Sequence, residues 1–188
     1  MKKYTQILKN EDKKHKKNKN SNWIILITIL SFVISLIFSF VAEMLLPGVN
    51  IILGIFIVII FISIGVIFDM IGVAVATASE APFHSMASQK VKSANAAIKM
   101  IKNASKVSSF CNDVIGDICG IISGSAGVTI ALKISKYLSV NSLLMSLLIT
   151  ALIAAMTIGG KACGKNIALN KSNIIVYEAA KLLSFFKS

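Results

Sequence analysis

The sequence predicts an all-α membrane protein: four transmembrane helices, an amphipathic helix in the interface plane, and a C-terminal amphipathic helix. Three observations predict it. Apolar residues make up 55% of the 188 positions and mean hydropathy is +0.78, while only 15% are charged. A soluble domain carries nearer a quarter charged residues. The apolar residues gather into four runs long enough to cross a bilayer, which takes about 20 residues per helix. The charge is segregated, with eight of the 20 basic residues in the first 19 positions. One water-exposed catalytic domain is excluded by this balance, and the length suits one domain.

The first span is read at 23–46, closed by Pro47-Gly48. It is too long for a secretory apolar region and lacks a clean small-x-small cleavage site, so it reads as an uncleaved anchor. The second covers about 51–79 and contains Gly65, Asp69 and Gly72, which makes a break plausible there. The third and fourth are read at about 110–134 and 142–160.

Lysine placement sets the orientation. Eight lysines lie in 1–22, five in 80–109 and five after Gly160, while Lys133 and Lys136 fall on the other side. Both termini are therefore expected in the cytoplasm and the chain in the cell membrane. The segment 1–22 is expected to be a disordered tail. It is a topology determinant and a surface that can rest on anionic lipid. No nucleic-acid partner is expected, because orientation accounts for the positive charge.

The segment 82–108 reads as one interfacial helix. Pro82 suits a first helical position. Phe83, Met86, Val91, Ala94, Ile98 and Ile101 form its apolar face, with Lys92, Lys99 and Lys106 opposite. A second such helix is expected over 172–186, capped by Ser172.

Ionisable groups inside a span are expensive and face a bundle interior or a wet cavity. Asp69 lies in the second span, Glu80 at its end, and Asn112, Asp113 and Asp117 at the start of the third. Asp113 and Asp117 are four apart and share a helix face. Gly116, Gly120, Gly124 and Gly127 suggest a close helix seam, and the acids are expected to continue that face into a tight interface. Carboxylates, amides and backbone carbonyls suit a hard cation such as magnesium. The competing reading places Asp113 and Asp117 at headgroup level, meeting the helix dipole and nothing more. His15 and His84 are expected to be solvated or interfacial, and Cys111 and Cys119 small buried hydrophobes. No Ser/His/Asp or Cys/His arrangement is visible, so no enzyme is expected.

The order of these elements resembles the transmembrane domain of the CorB/CorC and cyclin-M magnesium- and cobalt-transport family. Ser79-Glu80 precedes a lysine-bearing helix, then Lys99-Met100-Ile101-Lys102-Asn103, then Gly116-Asp117. The stretch Gly160-Lys161-Ala162-Cys163-Gly164-Lys165-Asn166-Ile167-Ala168-Leu169 is similar to the family's G-E-x-x-P-K-x-x-A-L signature. The resemblance covers roughly 60–175. It implies a three-span core with belt helices, a homodimer, and magnesium held within the membrane. Asp69, Ser79, Glu80, Asn112, Asp113, Gly116 and Asp117 are the candidate metal-site residues.

Departures from the pattern are informative. Asp117 stands for Asn, Lys161 for the signature Glu, and Gly164 for Pro. There is an extra first span, and no nucleotide-sensing pair of CBS domains. Lys161 either pairs with Asp117 or Asp69 and takes the metal's place, or snorkels to the surface and leaves the acids free. A magnesium-handling protein and a non-transporting scaffold with the same fold are both consistent with the sequence.

Overall fold

The computed structural model describes residues 20–186, and they form helices without strands. The tail expected over 1–22 lies almost wholly outside these residues. The helices are α1 (Asn20–Leu45), α2 (Ile51–Thr77), α3 (Ala81–Ser88), α4 (Ala94–Lys102), α5 (Ala104–Ser109), α6 (Gly116–Leu138), α7 (Ser142–Asn170) and α8 (Ser172–Phe186). A π-helical turn, Phe110–Ile115, joins α5 to α6 without a break. Four stretches are long and apolar enough to cross a membrane: Trp23–Met44, Ile51–Thr77, Ala104–Leu138 and Ser142–Asn170.

Helix α2 is the hub, packed against α6 on one side and α7 on another. Its glycines Gly54, Gly65 and Gly72 are spaced 11 and 7 residues apart. At about 100° per residue those steps return to within roughly 20° of one line. All three are buried and receive Ile130, Cys119 and Asn112 respectively from the α6 chain. On the adjoining face Val66 and Met70 pack onto Gly160 and Gly164 of α7.

Helices α1 and α7 present broad apolar faces outward. Phe32, Phe40 and Met44 on α1, and Leu148, Leu152 and Ile158 on α7, are each exposed. Such faces are compatible with lipid and far larger than an aqueous surface tolerates. Hydroxyls within the spans satisfy themselves by donating to the carbonyl one turn back: Ser31 to Ile27, Ser63 to Ile59, Ser125 to Ile121 and Thr157 to Ile153. This is what a medium without water demands. At the end opposite the interfacial helices, the ammonium of Lys133 reaches the carbonyl oxygens of Leu46 and Val49, tying the α1–α2 turn to α6.

Where α2 and α7 end, a second layer forms from α3, α4 and α8. Phe83, Ala97, Ile98 and Met100 meet Val176, Ala179 and Ala180 over Ala74, Val75 and Ala168. Three expectations need correction here. The interfacial segment 82–108 is not one helix but α3, α4 and α5, with α3 and α4 separated by a turn in which Lys90 takes φ 62°. The apolar spacing marks the break, since Met86 to Val91 is a step of five, too long for one helical stripe. The fourth long helix does not end at 160 but runs to Asn170, because Gly164 and Ala168 continue its buried line against α2 and the second layer. The second span is one uninterrupted helix, its glycines serving contacts instead of a break.

Phe83 is 1% exposed and anchors α3 in this layer. Phe83→Ala is expected to cost about 3–5 kcal/mol of stability. The check is thermal unfolding in detergent, together with faster trypsin cleavage at Lys90 and Lys92.

Candidate functional site

Among the described residues, no three side chains of His, Cys, Asp or Glu come together as a metal site would need. The candidate residues are instead dispersed over the fold. Asp69 is half-buried on α2, one turn after Gly65. The backbone N–H of Ser79 donates to the Asn173 side chain at 3.0 Å, which pins the end of α2 to α8. Glu80 lies 3.3 Å from the exposed His84 ring, one turn along. Asp113 and Asp117 stand together at the start of the third span, bordering one cleft.

Asn112 lies in the π-helical turn. Its Nδ2 faces Ser108 Oγ at 3.4 Å, and its buried Oδ1 has no hydrogen-bond partner among the described residues. A β-carbon on Gly72 would collide with this carboxamide. The oxygen therefore rests against the α-carbon hydrogens of Gly72, which are weak donors. It is taken up by the helix seam. The extra residue in a π-helical turn rotates the helix beyond it, and here it lets Asn112 press on α2 while Asp113 faces away.

The glycine face of α6 also differs from expectation. Gly116 and Gly127 are buried at contacts with α7, the latter under Ile153. Gly120 and Gly124 have open space where a side chain would be. A four-residue step overshoots a turn by about 40°, so Gly120 and Gly124 drift off the line that Gly116 and Gly127 share. Asp113 and Asp117 also lie off that line. The acids accordingly point out of the tight interface, not into it, which corrects the placement expected from the glycine spacing.

They point into a cleft of about 670 Å³ between α1, the interfacial helices and the start of α6. Lys102 and Lys106 line the same cleft, as do Ser105, Ser109 and Trp23. The Lys106 ammonium stands 4.8 Å from the centre of the Trp23 ring, a cation–π contact.

Lys161 is half-buried on α7, with its ammonium directed at α6: Nζ is 3.4 Å from where a β-carbon of Gly116 would be. No carboxylate among the described residues lies within 4 Å of it. It therefore neither pairs with Asp69 or Asp117 nor extends outward. Cys111 and Cys119 are buried and unpaired by disulfide, and Cys163 is exposed.

Sequence reasoning misses Gly54, Gly65 and Gly72 as a line, Gly160 and Gly164 as sockets, and the lysine–aspartate cleft. The 11- and 7-residue glycine spacing is a signal for the first; the cleft depends on how α1 lies against α5 and has none. Comparison with protein-family models, with curated proteins and with solved structures gave no match.

Gly72→Ala is expected to lower stability by about 1–3 kcal/mol through overpacking. Adding Asn112→Ala to it should restore most of the loss, because the second change removes the obstructing carboxamide. Thermal melts of the two single variants and the double variant in detergent read this coupling.

Proposed function

We infer that this chain is a multi-pass membrane scaffold built on a CorB-like core, in which the protein's own ammonium fills the place a divalent cation would take. The observation that carries this reading is Lys161, whose Nζ lies beside Gly116 at the meeting of α6 and α7. Both residues fall at matched positions of the resemblance, Lys161 where the family has a carboxylate. A fixed positive charge there opposes a dication by direct repulsion, and at short range in a poorly solvated seam that repulsion is large.

The donor set agrees. Magnesium needs several oxygens in near-octahedral order. Asn112 Oδ1 is held against Gly72, Glu80 lies beside His84, and Asp113 and Asp117 open to a different cleft. In this arrangement these residues do not fit a magnesium ion. The scaffold has both ends on the cytoplasmic side of the cell membrane, as the lysine distribution favours.

The test is Lys161→Glu, with magnesium-dependent thermal stabilisation of purified protein as the readout. Wild type is expected to show no response to millimolar magnesium. The variant, which removes the repulsive charge and adds a single oxygen donor beside Gly116, is expected to respond at most weakly, because the other donors stay dispersed. Stabilisation of wild type by magnesium, lost in Asp69→Asn or Asp117→Asn, would return the chain to the ion-handling reading.

A further inference from the structure

One face of α6 is left uncovered inside the span by the described residues. Asp113, Asp117, Gly120 and Gly124 follow one another on it at steps of four, three and four. Both aspartates are exposed, and both glycines have open space where a β-carbon would be. Helix α1 stands beside this face and carries a polar line of its own. Thr28, Ser31, Ser35, Ser39 and Glu43 recur at steps of three or four, which sets them on one side of the helix. The two helices meet along this line at both ends. Thr28 and Ser31 line the cleft of about 670 Å³ together with Asp113 and Asp117. Glu43 lines a second cavity, of about 450 Å³, with Ser125, Val128 and Thr129. A groove with a hydroxyl-bearing wall and a glycine floor thus follows α6 through the span.

Lipid tails satisfy nothing in such a groove. Asp117 follows Lys106 by eleven residues, about 16 Å deeper at 1.5 Å per residue, so the lysines of the cleft stand at its mouth and the acids inside. No ammonium among the described residues lies within 4 Å of either aspartate. Carboxylates at that depth call for a cation or a wet cavity. A free cation entering by the mouth is repelled by Lys102 and Lys106. A cation carried on another membrane helix arrives sideways, in the plane of the bilayer, and brings a backbone that can close on the glycines. A second copy of this chain does not supply it. In a two-fold dimer through this face, with its axis along the membrane normal, residues of equal depth meet. Four aspartates would then confront one another.

We propose that the groove between α1 and α6 seats a transmembrane helix of a different protein. That helix carries a lysine or arginine within two turns of its cytoplasmic end, and small residues beyond it. The basic side chain donates charge-assisted hydrogen bonds to Asp113 and Asp117. The small residues approach Gly120 and Gly124, where no side chain of this chain intervenes, and the α1 hydroxyls line the same path. Lys161 is directed at Gly116, on another side of α6, so its charge and its effect on magnesium do not bear on this face.

Cys163 is exposed while Cys111 and Cys119 are buried, so the full chain takes a donor fluorophore at Cys163. The probe is a synthetic leucine–alanine span of about 20 residues with an acceptor at one end. One version carries a lysine a turn inside that end, the other a glutamine in its place. Each is reconstituted with the chain in phosphatidylcholine vesicles. Energy transfer to the lysine span is expected to half-saturate at a mole fraction about tenfold lower than to the glutamine span. Asp113→Asn with Asp117→Asn is expected to abolish that difference. Gly120→Leu, which enters open space, is expected to weaken both spans and leave the melting temperature unchanged. Equal transfer to both spans, or a preference that survives loss of both aspartates, overturns the proposal. Binding of neither span also overturns it and leaves the acids to another cation, the lysine-rich segment 1–19 of this chain included. Transfer between donor- and acceptor-labelled copies that Gly120→Leu removes overturns it in favour of a second copy.

Discussion

The closeness with which α6 and α7 approach α2 constrains everything else in the bundle. Lipid tails are as apolar as leucine, so burying leucine between helices gains little in a membrane. Close backbone approach, with the dispersion contacts it permits, has to supply the attraction instead. Gly54, Gly65 and Gly72 allow it toward α6, and Gly160 and Gly164 toward α7. They also fix the rotation of each helix, and rotation decides which polar groups face inward.

That rotation separates the polar groups into two kinds. Asn112 is drawn inward by Gly72 and leaves its oxygen without a strong donor. An unmet carbonyl of this sort costs about 1–3 kcal/mol, and tight packing at Gly72 offsets it. Asp113 and Asp117, one and five residues further along, are carried outward to the cleft. The π-helical turn at Phe110–Ile115 makes these two outcomes compatible on neighbouring residues. Without its extra residue, α5 and α6 would share one helical phase, and α5 could not lay Lys106 on the side of the aspartates while α6 keeps Gly116 at the seam.

Much of this architecture is legible in the sequence. Hydropathy locates the four long helices, because apolar length is a local property. The break at Lys90 and the run of α7 to Asn170 are written in the spacing of apolar residues, the five-residue step from Met86 and the continuing line through Gly164 and Ala168. The site is less legible. Four-residue glycine spacing on α6 suggests a single seam, although a straight helix turns Gly120 and Gly124 off the line of Gly116. Which side chains meet across helices depends on such accumulated angles of tens of degrees, and a single π-helical turn is enough to shift them.

Lys161 and the aspartates carry charges that would neutralise one another if they met, and the fold keeps them apart. A buried ammonium without a carboxylate is costly in a span. Lys161 is tolerable because it is only half-buried and about 29 Å along α7 from Ser142 at 1.5 Å per residue, near the edge of the hydrocarbon. From that depth its ammonium turns toward Gly116, where the absence of a side chain leaves space for it. Had Asp117 stood on the Gly116 line, the two would form a closed ion pair and the outer cleft would lose half of its negative charge. Displacing Asp117 by one position leaves Lys161 without a carboxylate partner among the described residues and keeps both aspartates in the outer cleft with Lys102 and Lys106. An ammonium so placed repels cations from the inner seam. One turn of helix geometry, not the count of charged residues, determines that division.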